Sequence, residues 1–276
     1  MTALHAKVGF ASLVYGREGP SPSDPAEEFH EASKLYPSTI ARQSVGVARL
    51  AAQPALQAAT ARAGKRNRHL PARLLPRPVY PGTSLADAIG ARRSARSFAP
   101  GPVTLEALAT LLHASYGVTG PPDGEEATAA LRAVPSGGAL YPLEVYVLAA
   151  RVEGLAEGLY HFVPLRSVLE TLPPDDPLPR LRSSLAYPEI LDGSALTVLV
   201  TAMFWRTRFK YGLRGYRFAL LEAGHVMQNL LLVATALGLG AVPIGGLFDR
   251  QVDDLLGVDG VDESVLYAAH VGRAGE

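Results

Sequence analysis

Lys210 and Tyr211 stand side by side within Phe204–Phe218, FWRTRFKYGLRGYRF, a stretch with five cations, no acid and several aromatics. Like charges favour the neutral form of a crowded lysine, which makes it a candidate base near neutral pH. A phenol beside it could orient or relay the proton. The same residues also suit an electropositive solvated loop or a basic binding surface. Neighbours on a regular helix point about 100° apart, so the pair reaches one ligand only from a loop or a helix start.

A second group is ARRSARSF, where Arg92, Arg93, Ser94 and Arg96 offer three guanidiniums and a hydroxyl within five residues. That set matches a phosphate monoester, because arginine presents paired donors to anionic oxygens. A helix C-terminus decorated with cations explains it equally well. Pro135-Ser136-Gly137-Gly138 reads as a turn whose glycines let backbone approach a flat ligand, or as a plain tight turn. LGLGAVPIGGLFD reads as a second turn of that kind. Exposed amides at Ile244, Gly245 and Gly246 could meet a heteroaromatic edge.

Other chemistries lose their residues. The chain has no cysteine, which excludes disulfides, thiolate nucleophiles and cysteine-bound metals. Its seven histidines show no metal-ligand spacing, and no metal site is expected. There is no phosphate-binding Walker loop, dinucleotide glycine fingerprint or nucleophile-elbow serine. His225 reads as a core or interface histidine, and Asp253 and Asp254 as solvent-facing acids on a C-terminal helix. With 26 basic and 26 acidic residues, overall charge gives no pull toward nucleic acid or an anionic membrane. Residues 1–20 match a secretory signal poorly, so a cytoplasmic protein is expected. Val226–Phe248 is uncharged and long enough to span a bilayer, but its glycines and Pro243 favour a buried helix feeding a turn.

The elements that must position these residues emerge from periodicity. Residues 1–80 read as an N-terminal extension. Its 40–80 portion carries eight Arg and Lys and no acid, and reads as a solvated arm. Residues 81–276 read as the catalytic-type domain. TSLADAIGARR and TLEALATLLHASYG read as helices capped by Thr83 or Ser84 and by Thr104. LEVYVLAAR, GLYHFV and SVLETL form a strand meander, and ALTVLVTAMF and SVLYAAHVG are two further strands, with a long helix from about Tyr216 to Leu237 between them. Strands grouped between helices give an α+β class.

Together these pieces resemble the nitroreductase-like FMN oxidoreductases, over roughly Leu74 to Arg273, and within them the SagB-type azoline dehydrogenases. GALYP, with Ala139 where the general pattern prefers asparagine, is similar to that branch, as are the Lys210-Tyr211 pair and FHEASK at Phe29–Lys34. The resemblance implies the nitroreductase fold, a central, mostly antiparallel sheet flanked by helices in an interlocked homodimer. It implies FMN bound by Arg92, Arg93, Ser94 and Arg96 at the phosphate and ribityl chain, with Arg273 returning to the phosphate. Pro243, Ile244, Gly245 and Gly246 would lie along the isoalloxazine, and Pro135, Ser136 and Gly137 would meet the flavin of the other subunit. Lys210 and Tyr211 inherit the acid/base role. The implied reaction is oxidation of a peptide thiazoline or oxazoline to the azole, with a cyclodehydratase partner. The alternatives are a nicotinamide-dependent nitro, quinone or flavin reductase, and a non-catalytic partner in a peptide-modifying complex.

Overall fold

The computed structural model describes residues 24–38, 40–61, 64–120, 130–173 and 175–275. The reading of residues 1–20 lies outside them. The chain divides into two compact units, 1–44 and 45–276. The first contains α1 (Pro25–Ala32), begun by the Asp24 carboxylate accepting from Ala26 N at 2.9 Å, and the single turn α2 (Ile40–Gln43). Helix α1 carries the first part of FHEASK.

The second unit starts with α3 (Val45–Ala51) and α4 (Pro54–Ala61) and is then organised by one sheet. Its strands are β1 (Ala72–Leu74), β2 (Phe98–Ala99), β3 (Leu143–Ala149), β4 (Gly158–Val163), β5 (Val168–Thr171), β6 (Leu196–Met203), β7 (Leu239–Ile244) and β8 (Glu263–Ala274). The order is β1-β5-β4-β3-β6-β8-β2, with β7 also on β8, and every ladder is antiparallel. The β3-β4-β5 meander stands as expected. Around the sheet lie α5 (Leu85–Ala91), α6 (Leu105–Tyr116), α7 (Pro177–Ser183), α8 (Trp205–Tyr211), α9 (Leu213–Ala236) and α10 (Asp249–Leu256). Ser84 and Thr104 cap α5 and α6, accepting from Asp87 N and Ala107 N.

Strand β3 is buried along its whole length, because both sheet faces are covered. Leu143, Val145 and Val147 face the core shared with α6 and α9, while Tyr146 and Leu148 face the core that includes residues of α7 and α10. Each such side chain contributes about 1.5–3 kcal/mol. Helix α9 is long and apolar enough to cross a membrane, yet Ala219, Ala223, Val226, Met227, Leu230 and Ala234 recur at helical spacing into the core.

Three expectations change. Helix α9 does feed a turn, Leu237–Gly238 with Gly238 at φ +71, but the segment read as a turn beyond it is a strand: Leu239–Ile244 pair with β8. Pro243 is tolerated because β7 has a ladder partner on one side and needs no second donor there. Asp253 is buried, accepting from Ser264 Oγ and Val265 N at 2.8 Å each and so tying α10 to β8; Asp254 is exposed as read. His225 is exposed on α9, which removes the core half of its reading and leaves the interface half.

Candidate active site

The glycine between α8 and α9 sets the local geometry. Gly212 (φ 56, ψ −137) occupies backbone space that side-chain-bearing residues avoid, and it stops α8 at Tyr211. The corner is fastened by Thr207, whose hydroxyl lies 2.9 Å from Gly215 O and 3.2 Å from Phe204 O. Lys210 and Tyr211 therefore sit in the last turn of a helix, half-buried, and not at a loop or a helix start.

Facing them is the segment Pro135–Tyr141. Gly138 (φ +66), Ala139 (φ +54) and Tyr141 (φ +45) are all left-handed, a conformation that costs about 1–3 kcal/mol at each non-glycine. Four hydrogen bonds hold it. Ala139 N donates to Ser136 O (3.0 Å), Tyr141 N to Ser136 Oγ (2.9 Å), Arg132 N to Tyr141 Oη (3.0 Å) and Arg206 Nη1 to Tyr141 O (3.3 Å).

Lys210 and Tyr211 converge on the middle of this turn. A Cβ built on Gly138 would lie 2.5 Å from both Lys210 Nζ and Tyr211 Oη. The lysine nitrogen also stands 5.0 Å from the Tyr211 ring centroid. Phe218 of α9 packs edge-on against Tyr211 and closes over Gly137, where a Cβ would come within 2.9 Å of its ring.

Behind the turn lies Glu222, one helical turn after Phe218 and 2% exposed. Tyr116 Oη donates to its Oε1 at 2.8 Å. Burial pushes the Glu222 carboxyl up to about 7, against the opposing pull of the Ser136 and Tyr116 hydroxyls and of Arg132 and Arg206. Arg132 is itself sandwiched between the Tyr116 and Tyr141 rings, 4.3 and 4.7 Å from their centroids.

The arginines around Lys210 have other work. Arg206 pairs with the buried Glu144 of β3 (2.5 Å), and Arg208 stacks on Trp205 (4.5 Å). Glu144 continues the network, with His161 Nε2 at 2.8 Å and Lys65 N donating at 3.0 Å. Burial alone would raise the Glu144 carboxyl; the His161 hydrogen bond and the Arg206 charge outweigh it and lower it to about 2. Lys65 Nζ also reaches Tyr146 Oη (2.8 Å) and Glu263 Oε2 (3.0 Å), so this part of the basic run is pinned to the sheet and is not a solvated arm.

The remaining candidates gather elsewhere. Arg92 ends α5, and Arg93 Nη1 donates to Gly90 O and Arg92 O. Ser94 runs parallel to Ala241 of β7, with Ala95 N donating to Ala241 O at 3.0 Å. Arg273 is the cross-strand partner of Leu239 and lies over Gly101, lining a cleft of about 640 Å³ with Thr104, Glu153 and Leu237. Arg96, Gly245 and Gly246 are exposed, beside or beyond β7, whose last residues are Pro243 and Ile244.

Within one chain the two groups stay apart. Leu143, at the end of the Pro135–Tyr141 turn, aligns with Ala202 and hence with Ser264. Arg273 lies nine residues further along β8, about 30 Å at the usual strand rise. Ile244 pairs with Ala268, between the two.

The second group fits a phosphorylated flavin. Among the described residues, Arg92, Arg93, Arg96 and Arg273 make no ion pair, so their charge is available to an anion. Gly245 has nothing within 4 Å of a built Cβ, and Gly246 only Ala186 Cβ at 3.4 Å, which leaves backbone open to a flat ring.

This mixed helical and antiparallel fold defines a class. The chain belongs to the nitroreductase family, whose pattern matches residues 89–273. It is 34% identical over 189 residues to MJ1384 of Methanocaldococcus jannaschii, assigned by name to the nitroreductases, covering 68% of this chain and 90% of that one. It is 36% identical over 133 residues to the microcin B17-processing protein McbC of Escherichia coli, covering 46% of this chain and 49% of McbC. Among solved structures, the E. coli microcin synthetase McbBCD complex with truncated pro-MccB17 bound contains a similar chain (TM-score 0.56, 25% identity, 92% of this chain and 95% of that one). A nitroreductase-fold protein of Desulfovibrio desulfuricans in complex with FMN shares the fold (TM-score 0.50, 23% identity, 70% and 88% covered).

Sequence reasoning named Gly138 within a candidate turn but not as the contact of Lys210 and Tyr211, and it missed Arg206, Glu222 and Lys65 as parts of this site. The Gly137-Gly138 pair hinted at the first, but which glycine takes φ > 0 and meets the lysine is a matter of packing. The others are charged residues that the fold buries, and single buried charges leave no mark in a sequence.

Proposed function

We propose that this protein is an FMN-dependent oxidoreductase of the SagB type, oxidising a thiazoline or oxazoline ring in a peptide to the azole. The observation that carries the reading is the convergence of Lys210 Nζ and Tyr211 Oη on Gly138, in a nitroreductase-family chain similar to McbC. Arg92, Arg93, Ser94, Arg96 and Arg273 would hold the FMN phosphate and ribityl chain, and Pro243 to Gly246 would flank the ring system. FMN supplies the hydride acceptor when bound.

The residues of this chain handle the proton. Lys210 takes the ring proton as the carbon–hydrogen bond to the acceptor's side breaks, and Tyr211 orients the amine or passes the proton on. Phe218 and the Pro135–Tyr141 turn flank the pair. The separation of the two half-sites along β8, together with exposed Leu220 and Leu221 on α9, supports a homodimer in which one subunit's turn faces the other's flavin group. A cyclodehydratase partner in the cytoplasm would supply the ring.

The test is an absorbance spectrum of the purified protein followed by turnover of an azoline peptide. Yellow flavin bands and azole formation are expected; a protein that binds FMN and leaves azolines unchanged would sink the dehydrogenase reading. The 34% identity to a nitroreductase-named protein over 90% of its length favours a second reading, a nicotinamide-dependent reductase of nitro compounds or quinones. Bleaching of the flavin by NADPH without azoline turnover would select it.

A further inference from the structure

We infer that residues 45–61 and 64–67 clamp the active-site helix, with Gly46 the positioning residue that sets where Lys210 and Tyr211 stand. The inference rests on the proposed role of that pair and adds a part of the chain outside the 89–273 family match.

Helix α3 lies against α8, and Gly46 is the point of closest approach. A Cβ there would run into the Phe209 carbonyl oxygen and come within 2.7 Å of Lys210 O and 2.8 Å of Lys210 Cα. These are backbone atoms, so they yield only if the helix moves, unlike the flexible tips that meet Gly138. Gly46 has no left-handed φ to explain its identity. What requires glycine is room for the carbonyls of Phe209 and Lys210.

Residues 64–67 grip the start of α8. Lys65 N donates to Glu144 Oε1, the same oxygen that Arg206 Nη2 meets. Lys65 Nζ is anchored on Tyr146 and Glu263. Asn67 N donates to Glu170 Oε2 at 2.8 Å. Through Arg206 the grip reaches the turn itself, since Arg206 Nη1 also donates to Tyr141 O. The two stretches thus bear on both ends of a seven-residue helix whose last two side chains are the proposed chemical pair. A Cβ at position 46 displaces the Lys210 backbone and moves Nζ off Gly138, and a misplacement of about 1 Å can cost about a hundredfold in rate.

The experiment compares wild type, Gly46→Ala, Lys65→Ala, Lys210→Ala and the Gly46→Ala/Lys210→Ala double variant as flavin-loaded full-length protein. It reads azoline turnover and amide hydrogen exchange across residues 205–211. Gly46→Ala is expected to lower kcat at least about tenfold with KM and flavin retention unchanged, to speed exchange in α8, and to cost nothing more in the Lys210→Ala background, as coupled residues do. Unchanged exchange and kcat, or an undiminished loss in the Lys210→Ala background, would overturn the clamp. Exchange reads the clamp without catalysis: faster exchange with no azoline turnover in wild type keeps the clamp and rejects the reaction. If Gly46→Ala fails to fold, Lys65→Ala is judged by the same exchange measurement, and protection equal to wild type then rejects the clamp.

Discussion

Lys210 Nζ occupies the space that a side chain at Gly138 would need, so the amine of one element is seated on the backbone of another. The contact joins the end of α8 to a turn whose Gly138, Ala139 and Tyr141 are all left-handed. Backbone held in sparsely populated conformations persists where the surroundings over-determine it, and here Ser136, Arg132 and Arg206 supply the bonds.

Gly138→Ala should therefore cost activity more than stability. The left-handed φ disfavours alanine by about 1–2 kcal/mol. The colliding atoms are the tips of flexible side chains, which swing away and leave the fold intact. Turnover should fall about a hundredfold with flavin retained, as steady-state kinetics and the bound-flavin absorbance would show together.

Lys210→Ala should lower kcat by about a hundred- to ten-thousand-fold, the usual contribution of a placed general base. Flavin affinity should be unchanged, because the flavin-holding candidates lie with Arg273 at the far end of β8. A rate equal to wild type would remove Lys210 from the mechanism.

Arg273→Gln tests the opposite half-site. Losing a charge-assisted hydrogen bond of about 1.5–3 kcal/mol weakens FMN about ten- to a hundredfold. Fluorescence titration of apoprotein reads this directly; equal affinity in the variant would take Arg273 out of the phosphate site.

Glu222→Gln should change how stability depends on pH. The folded carboxyl titrates at about 7, above its ordinary 4.5. Between those values the native state binds the extra proton, so wild-type stability falls as pH rises from 4.5 to 7, by about 3 kcal/mol for this group. The amide removes that fall while still accepting from Tyr116. Urea denaturation at pH 5 and pH 8 should show the variant gaining on wild type at the higher pH.

Glu144→Gln carries the reverse sign. Its folded carboxyl titrates at about 2, below 4.5, so its stabilisation is present above 4.5 and lost as pH falls toward 2. At neutral pH the amide leaves Arg206 without its anion, a defect of about 3–5 kcal/mol for a buried pair. The gap between variant and wild type should be widest at pH 7 and narrow by pH 3, and a constant gap would show that charge is not what Glu144 contributes.

Much of the architecture was legible in the chain. Leu105, Leu108, Leu111 and Leu112 repeat at helical spacing behind Thr104, and LEVYVLA and LTVLVTA are too apolar to lie anywhere but inside a sheet. Strand β7 was not, because glycine, proline and a preceding helix signal a turn, and only pairing with β8 overrides them. Asp253 was misread for a related reason: an acid beside Asp254 on an amphipathic helix looks solvated until a neighbouring strand offers it Val265 N and Ser264 Oγ.

By itself the sequence determined which groups are available for chemistry: a lysine and a tyrosine among cations, an arginine-serine run, two glycine-rich segments, and no thiol. Those are properties of residue type and spacing. Only the tertiary structure decided that Lys210 and Tyr211, though adjacent on a helix, meet at Gly138, that Arg206 serves Glu144 instead of tuning the lysine, and that Gly46 and Lys65 hold the helix in place. Such contacts depend on where distant segments cross, and steric fit between backbones more than sixty residues apart has no signature in either one.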